Sequence, residues 1–397
     1  MPLAWRAGWR SSPRMKRPMR HAAALLVGLV LAPLAARAQA PDCGVPQTRA
    51  DGWRVATPQA VGLDLGPLCA IGPKFASWQR ADVHAILIAR HGSLVYEHYF
   101  KGEDEDWGTS LGDIEHGPDT LHDLRSVGKS VNALILGIAI DRGWVPGVDT
   151  PLLQLLPRYA DLRSPKKDRI RLRDVLTMSM GLKWDQWTSS LRDNSEIQMD
   201  NAADPYRYVL SQPVWDAPGT EWNYSSGGAA LITAVLQQAT GKPEDVLAQQ
   251  VLFAPLGITN VAWHRWRNGD ANAESGLRML PRDLLKIGQL VLNRGAWNGR
   301  QIVSAAWIDA ATKPQIRTSQ QYGASGYSYG YQWWIGHSQV NGQRVDWPFG
   351  NGLGGQRLFV VPQLDMVVLV MAGLYDSAIE DEVPLMVLNN YAFAAVH

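Results

Sequence analysis

The 397-residue sequence predicts an α+β fold: an antiparallel β-sheet formed from both chain ends, flanked by helices, with a mostly helical second region between them. Strand-like apolar runs occur at 83–100 and again after residue 329, so both parts of the chain are expected to contribute strands to the sheet. Apolar helical stretches separated by loops occupy the middle. With 46% hydrophobic residues, the chain can bury a large core.

The first forty residues have the pattern of an export signal. They contain many lysines and arginines and no acidic residue, and the apolar run Ala22–Ala36 is short for a membrane span. Small-x-small cleavage patterns follow at Ala36-Arg37-Ala38 and Ala38-Gln39-Ala40. We therefore expect residues 1–40 to be removed, with a periplasmic or secreted protein as the product and no stable membrane anchor. The remaining chain is mildly acidic, which argues against a nucleic-acid partner.

The predicted enzyme domain, 41–397, begins with part of the sheet. Val83–Phe100 reads as two strands joined by a turn at His91-Gly92, whereas the acidic stretch 101–120 is predicted to be a loop. Cys43 and Cys69 are expected to pair in an oxidising compartment, the alternative being two buried thiols.

The middle of the chain is predicted to be helical, at about 121–275. A helix is expected from Ser126 to about Arg142, ended by Gly143, and its apolar residues Val131–Ile140 cover nearly every face, as in a buried helix. Further helices are predicted at 172–179, 204–211, 228–240, 281–294 and 304–311.

The last third, from about 276 to 397, is predicted to return to the sheet. Tyr329–Gly336 reads as one strand, and Asn341-Gly342 is a strong signal for a hairpin turn. Leu358–Val361 and Met366–Met371 form another predicted strand pair, and a last helix is expected at about 380–394.

A candidate nucleophile lies in Ser126-Val127-Gly128-Lys129. Positions three residues apart share a helix face, so Lys129 should lie beside Ser126. The start of a helix favours developing negative charge. A buried lysine without a full counter-charge loses its proton more easily and can act as a general base for the serine. An N-cap followed by a surface lysine is the alternative interpretation of this short motif.

Two further segments carry candidate functional groups. Tyr224, in Tyr224-Ser225-Ser226-Gly227, precedes an apolar helix and offers a phenol that can transfer protons. The glycine-rich run Gly350–Gln356 leads into a predicted strand, and its backbone N–H groups can complete an oxyanion hole with the N–H of Ser126. Taken singly, the tyrosine is more typical of packing at a loop–helix junction, and the glycines also fit a tight turn or a bulge at the start of a strand.

In this order the segments resemble the serine β-lactamase and penicillin-binding superfamily, and in particular its class C-like esterase branch, which includes the nylon-oligomer (aminohexanoate) hydrolases. The resemblance covers nearly all of 50–395. It implies a β-lactamase-like fold, with Ser126 as nucleophile, Lys129 as its base and Tyr224 as second acid/base. It places the second oxyanion donor at Gly352 or Leu353. The supporting stretches are Leu87–Phe100, Leu124–Gly143, Leu176–Trp184, Pro218–Gly227, Gly276–Gly288, Tyr329–Ile335 and Gly354–Val361.

The sequence departs from this family pattern in two places. The second motif often ends in asparagine, where this chain has Ser226, a candidate substrate-binding residue. Lactam-recognising members carry Lys-Thr-Gly or His-x-Gly on the last strand, and Phe349-Gly350-Asn351 occupies those positions. The absence of a cation there weakens the β-lactamase and cell-wall peptidase interpretations, because neither a lactam nor a peptide carboxylate would find its partner.

Other catalytic patterns are weaker. Ser110 and Ser328 each lie in a Gly-x-Ser-x-Gly match, but neither match has the preceding strand and following helix that a nucleophile elbow needs. His84, His91 and His98 recur every seven residues across a hairpin and do not converge, so no catalytic metal and no cofactor are expected.

The sequence therefore predicts an exported serine hydrolase that cleaves a small ester or amide through an acyl-serine intermediate. The alternatives are a β-lactamase or D-Ala peptidase of the same superfamily, and a non-catalytic descendant that binds peptide or cell-wall fragments. The oligomeric state and the natural substrate are left open.

Overall fold

A computed structural model of the protein describes residues 43–319 and 326–397, and in them strands from both parts of the chain join one sheet. The order across this sheet is β1-β3-β2-β16-β15-β14-β13-β12-β11. The strands are β1 (Arg54–Val55), β2 (Val83–Arg90), β3 (Ser93–Tyr99), β4 (Lys101–Asp106), β5 (Thr109–Glu115), β6 (His122–Asp123), β7 (Val261–Trp263), β8 (Leu277–Met279), β9 (Ala296–Trp297), β10 (Arg300–Gln301), β11 (Ile316–Arg317), β12 (Ser328–Tyr329), β13 (Trp334–Val340), β14 (Gln343–Gly352), β15 (Gln356–Val361) and β16 (Met366–Ala372).

The two chain ends meet where β2 pairs with β16, in antiparallel register with Ile86 opposite Val370. The neighbouring pairs are also antiparallel, apart from the short β1, which runs parallel to β3. The predicted antiparallel sheet built from both ends is therefore confirmed. Asn341-Gly342 joins β13 to β14, as its sequence predicts.

Helices cover both faces of this sheet. They are α1 (Leu65–Ser77), α2 (Val127–Asp141), α3 (Leu152–Leu155), α4 (Leu172–Leu176), α5 (Ser195–Asn201), α6 (Pro205–Ser211), α7 (Ser226–Thr240), α8 (Glu244–Ala248), α9 (Pro281–Leu292), α10 (Ala305–Ala311) and α11 (Glu382–Met386), the last continued by a π-helical segment at Val387–Phe393. Because side chains alternate along a strand, Leu87 of β2 faces a core shared with α2, α7 and α9. Ile86 and Ile88 face a second core with α1 and the C-terminal segment.

Two local predictions are wrong. The stretch 101–120 contains the hairpin β4–β5 rather than only a loop, because its strands carry charged residues in place of the apolar alternation that marks a half-buried strand. The predicted strand Tyr329–Gly336 is instead two antiparallel strands, β12 and β13, with Tyr329 opposite Trp334. The turn between them lies in the aromatic-rich stretch 331–334, whose composition is typical of a strand.

Cys43 and Cys69 form the predicted disulfide. It links the start of the described chain to α1, 26 residues later. The predicted export signal, residues 1–40, lies outside the described residues. Within the parts of the chain that the structure describes, no helix is long and apolar enough to cross a membrane.

Candidate active site

Ser126 lies at the N-terminus of α2, where it is the N-cap residue. The residue before it, Arg125, has a left-handed backbone with φ of 48°, a conformation that costs free energy for a side chain with a Cβ. Ion pairs with Glu105 and Asp123 and stacking on the Trp107 ring hold Arg125 in place. The chain therefore turns sharply into α2 and presents Ser126 at the start of the helix.

Lys129 lies one turn along α2, with its ammonium group directed at Ser126. Its Nζ donates to Ser126 Oγ at 2.9 Å and to the carbonyl oxygen of Glu274 at 3.2 Å, and it forms an ion pair with Glu274 Oε2. Both side chains of this ion pair are about 1% exposed. Three acceptors surround an amine that has three donors when protonated, so the geometry fits a lysine ammonium.

Glu274 is the functional residue that the sequence did not reveal. It lies in a loop before β8, and no motif marks it. Gly128 allows the loop to approach, because a Cβ at this position would lie 2.8 Å from the carbonyl oxygen of Ala273. The glycine between Ser126 and Lys129 thus brings a carboxylate into contact with the lysine. The only sequence signal for Glu274 is its position, two residues before the family-like stretch that begins at Gly276.

The pair with Glu274 changes the expected charge state of Lys129. Burial alone lowers a lysine pKa, as the sequence interpretation assumed. Here that lowering effect of burial is outweighed by the combined effect of nearby acidic groups, of which the Glu274 carboxylate is the largest, and the Lys129 pKa rises above its usual value. Lys129 is therefore protonated at rest, which differs from the expectation of a lysine without a full counter-charge.

Tyr224 completes the group around the nucleophile. Its hydroxyl lies within hydrogen-bonding reach of Ser126, and Lys129 Nζ lies 5.3 Å from its ring centre. Burial raises the pKa of Tyr224, while the Lys129 charge and the Ser126 hydrogen bond oppose that rise. Tyr224 is consequently a neutral phenol at rest, able to donate a proton to an atom that lies close to Ser126 Oγ.

Two more carboxyl groups lie in the field of this site. Burial, reinforced by the charge of Glu274, raises the pKa of Glu196 and the pKa of Asp200, each to about 7. The Glu196 carboxyl contacts Gln186, and the Asp200 carboxyl accepts from the Trp266 indole at 3.0 Å. Near neutral pH, Lys129 therefore has one carboxylate partner, Glu274, and two nearby carboxyl groups that are partly protonated.

The glycine-rich segment passes directly beside the start of α2. At Gly352, the last residue of β14, a Cβ would collide with the carbonyl oxygen of Leu124 and lie 3.3 Å from the Arg125 Cβ. Leu353, next in the chain, is 46% exposed. The N–H of Gly354 donates to Glu380 at 3.0 Å and is therefore engaged. Gly352 and Leu353 lie where a second oxyanion donor is expected, and the choice between them stays a prediction.

The position where lactam-recognising proteins carry a cation is apolar in this chain. Phe349 is buried in an aromatic cluster with Trp334, Trp347 and Phe359. Arg357, opposite Asn351 in the sheet, donates to the carbonyl oxygen of Gly352 at 2.8 Å and pairs with Asp381. Its side chain is buried, so its charge is used within the protein.

Ser226 lies at the first position of α7, close behind Tyr224, and is fully buried. Its N–H donates to Gln186 Oε1 at 2.8 Å, and its Oγ accepts from Gln186 Nε2 at 3.2 Å. These contacts fix the helix start against the loop at 184–187. A direct contact of Ser226 with substrate stays a prediction.

Among the described aromatic rings that contact Tyr224, one is exposed to solvent. Trp222 and Trp334 pack around it and are buried, whereas Trp187, 5.9 Å away between ring centres, is 49% exposed. Trp187 and Leu353 therefore offer apolar surface near the site. The serines of the two Gly-x-Ser-x-Gly matches lack the setting of a nucleophile elbow. Ser110 lies on the exposed hairpin strand β5 and Ser328 on β12, and neither is at a strand-to-helix turn.

Comparison with known proteins gives matches that extend over most of the chain. A family model described as "Beta-lactamase" matches residues 76–381, more than half of the chain. Among curated proteins, the chain is 24% identical over 312 residues to a 6-aminohexanoate-dimer hydrolase of Paenarthrobacter ureafaciens, an alignment covering 74% of this chain and 73% of that protein.

Solved structures share the fold at lower identity. Simvastatin synthase (LovD) from Aspergillus terreus superposes with a TM-score of 0.63 at 18% identity, over 83% of this chain and 98% of that one. A family VIII carboxylesterase gives a TM-score of 0.63 at 14% identity, over 82% and 96% of the two chains. At these identities the likeness concerns the fold.

Proposed function

Since the chain belongs to the Beta-lactamase family and is a hydrolase of this serine-dependent group, we propose that it is an exported esterase or amidase acting through an acyl-Ser126 intermediate. The observation that carries the proposal is the 2.9 Å hydrogen bond from Lys129 Nζ to Ser126 Oγ at the start of α2. A nucleophile, a proton-transfer partner and a helix N-terminus coincide there.

Acylation begins when Ser126 Oγ attacks the substrate carbonyl carbon. The serine proton passes to Lys129 Nζ as Lys129 passes one of its protons to Glu274 Oε2, so the lysine stays an ammonium and the carboxylate becomes a carboxylic acid. This relay follows from the ion pair, because a lysine that is protonated at rest cannot accept a proton without giving one up. The oxygen of the tetrahedral intermediate is held by the N–H of Ser126 and that of Gly352 or Leu353.

Collapse of the intermediate needs a proton for the leaving group, and Tyr224 is positioned to give it. Its phenol is neutral and within reach of Ser126 Oγ. In the intermediate this oxygen is bonded to the carbon from which the leaving group departs. Tyr224 then recovers a proton from the water that attacks the acyl-enzyme, and Ser126 Oγ regains its own proton from Glu274 through Lys129 as the acid product leaves. The exposed Trp187 beside it supplies an apolar wall for the leaving group.

The substrate class follows from what the site lacks as well as from what it holds. Phe349-Gly350-Asn351 presents no cation for a lactam or peptide carboxylate, and Arg357 is used by Asp381 and the Gly352 carbonyl. Uncharged esters and short linear amides fit such a site better than β-lactams do. The similarity to a 6-aminohexanoate-dimer hydrolase supports an amide as well as an ester substrate.

We expect the mature protein to hydrolyse a short-chain p-nitrophenyl ester and to leave nitrocefin intact. The Ser126→Ala variant should lose ester turnover and labelling by a fluorophosphonate probe, because the acyl-enzyme cannot form. Ser328→Ala, a serine from a competing motif, is the matched control and should keep both. Nitrocefin turnover by the wild type would favour a β-lactamase, and a wild type that neither hydrolyses nor labels would favour a non-catalytic binding protein.

Export is the other part of the proposal. The basic and apolar pattern of residues 1–40 supports it, and a disulfide between Cys43 and Cys69 suits an oxidising compartment. When the full sequence is expressed in a bacterium, the chain recovered from the periplasmic fraction should begin near residue 41. An intact N-terminus on cytoplasmic protein would contradict export.

A further inference from the structure

A cluster of histidine and aspartate side chains lies outside the proposed active site, between β2, β4 and the segment that follows β5. His84, Asp104 and His116, hereafter the His-Asp-His triad, each offer one ligand atom, and the three atoms lie within 4.8 Å of one another. His84 and Asp104 are almost completely buried, and His116 is partly exposed. The three residues come from separate segments of the chain, so a shared ligand would tie those segments together.

The hydrogen bonds determine which nitrogen of His84 carries its proton. His122 Nδ1 lies 2.9 Å from the carbonyl oxygen of Asp123, which can only accept, so this nitrogen carries a hydrogen. A neutral imidazole carries one hydrogen, so the other ring nitrogen of His122 is an acceptor. Its Nε2 therefore accepts from His84 Nδ1 at 2.8 Å, and His84 Nε2 is left with a lone pair.

Each member of the triad has a buried atom without a hydrogen-bond partner among the described residues. These atoms are His84 Nε2, Asp104 Oδ2 and His116 Nε2. Buried polar atoms are normally paired, and one proton between two of these atoms would leave the third unsatisfied. A cation bound by all three satisfies them together.

Charge and space at the triad also suit a cation. Asp82 Oδ1 lies 3.5 Å from His84 Nε2, so two carboxylates face the cluster. The nearest positive group, Arg278, is 3.9 Å from Asp104 Oδ2 but is shared with Asp106 and Asp123. At Gly102 a Cβ would lie 2.7 Å from His84 Nε2, so the glycine leaves free the space beside this atom.

From these contacts we infer that the His-Asp-His triad is a binding site for a divalent transition-metal cation, with Zn²⁺ as the best match. Two imidazole nitrogens and one carboxylate oxygen are a typical zinc ligand set, with a fourth position for water or Asp82. The hydrogen bond from His84 Nδ1 to His122 is the contact that usually orients a metal-ligating histidine. Ligands around zinc lie roughly 3.3 Å apart, so binding would draw together the three atoms, now within 4.8 Å of one another, by up to roughly 1.5 Å.

The bound cation would stabilise the chain segment that precedes Ser126. His122 and Asp123 form β6, and the chain continues through Leu124 and Arg125 to Ser126. A cation held at the triad would link the β4–β5 hairpin and β2 to the residues packed against this segment. The role is structural and does not depend on the proposed hydrolase activity, because no triad atom contacts the Ser126 group in the described contacts.

The test is titration of chelator-treated protein with Zn²⁺ by calorimetry, repeated with Co²⁺ to read the visible absorption of a tetrahedral centre. We expect one ion per chain with a dissociation constant of about a micromolar or lower, and a rise in melting temperature. His116→Gln and Asp104→Asn should each weaken binding at least 100-fold. His98→Gln replaces a histidine of similar exposure outside the triad and should bind like the wild type.

Binding that is equal in all four proteins, or absent at tens of micromolar Zn²⁺, would overturn the inference, as would a Co²⁺ spectrum of an octahedral aqua-type ion. Melting curves in the presence of chelator check that His116→Gln and Asp104→Asn fold. Since two separate ligands are changed, the failure of one variant to fold leaves the other to decide.

Discussion

Replacing Lys129 by methionine should lower kcat/KM for a p-nitrophenyl ester by roughly 10⁴-fold, at the upper end of what positioned proton transfer contributes. Methionine keeps the length and the apolar stem of lysine but removes the group that hydrogen bonds Ser126 Oγ. Without it the serine proton has no route to Glu274, so acylation slows. The rate of fluorophosphonate labelling should fall in parallel with ester turnover.

A matched control separates this effect from loss of stability. Lys286 of α9 is also about 1% exposed and pairs with a carboxylate, that of Asp283, at 2.7 Å. Lys286→Met leaves a buried acid unpaired, as Lys129→Met does, and each variant should lose a few kcal/mol of stability for that reason. Per folded molecule, Lys286→Met should keep wild-type turnover. If Lys129→Met stays within tenfold of wild type, Lys129 is not on the proton path.

Glu274→Gln should change the pH dependence of the reaction as well as its rate. In the wild type, the serine proton is passed on to Glu274, so turnover does not require a neutral Lys129. In the variant the carboxylate is gone, and the Lys129 pKa falls because burial is no longer opposed by that charge. Lys129 must then be neutral to accept the proton, and an amine titrates at higher pH than a carboxyl group.

The acid limb of kcat/KM should therefore move to higher pH in Glu274→Gln, with a loss of roughly 10²-fold at pH 6 and a smaller loss at pH 9. The measurement is ester hydrolysis from pH 5 to 10, corrected with Ser126→Ala. Asp283→Asn removes the corresponding partner of Lys286 and should leave the profile unchanged. If neutral Lys129 were already the base in the wild type, removing Glu274 would lower its pKa and move the limb to lower pH, which would contradict the relay.

Much of the site could be predicted because it is local in sequence. Ser126 and Lys129 are three residues apart on one helix, so helical geometry alone makes them neighbours. Tyr224 was found through the motif before α7, and the glycine-rich segment through the family pattern around Gly354. These groups have recognisable spacing or composition, and the structure brings Ser126, Lys129 and Tyr224 into contact.

Glu274 and the His-Asp-His triad are different, because their partners are distant in sequence. Glu274 lies 145 residues from Lys129, and its approach depends on the missing Cβ of Gly128. In the sequence His84 is spaced regularly with His91 and His98, whereas the folded chain brings it against His122 and His116. No spacing rule encodes such a meeting.

The sequence by itself determined the fold class, the sheet from both chain ends, the disulfide and the closeness of Ser126 to Lys129, because alternation, helical period and short motifs record local geometry. Tertiary structure decided the charge of Lys129 and the convergence of the triad. Both depend on which groups are packed together away from water, where the neighbours of Lys129, Glu274 foremost among them, together outweigh the cost of burying the lysine charge. That balance is a property of distances between remote residues, and only the folded chain fixes those distances.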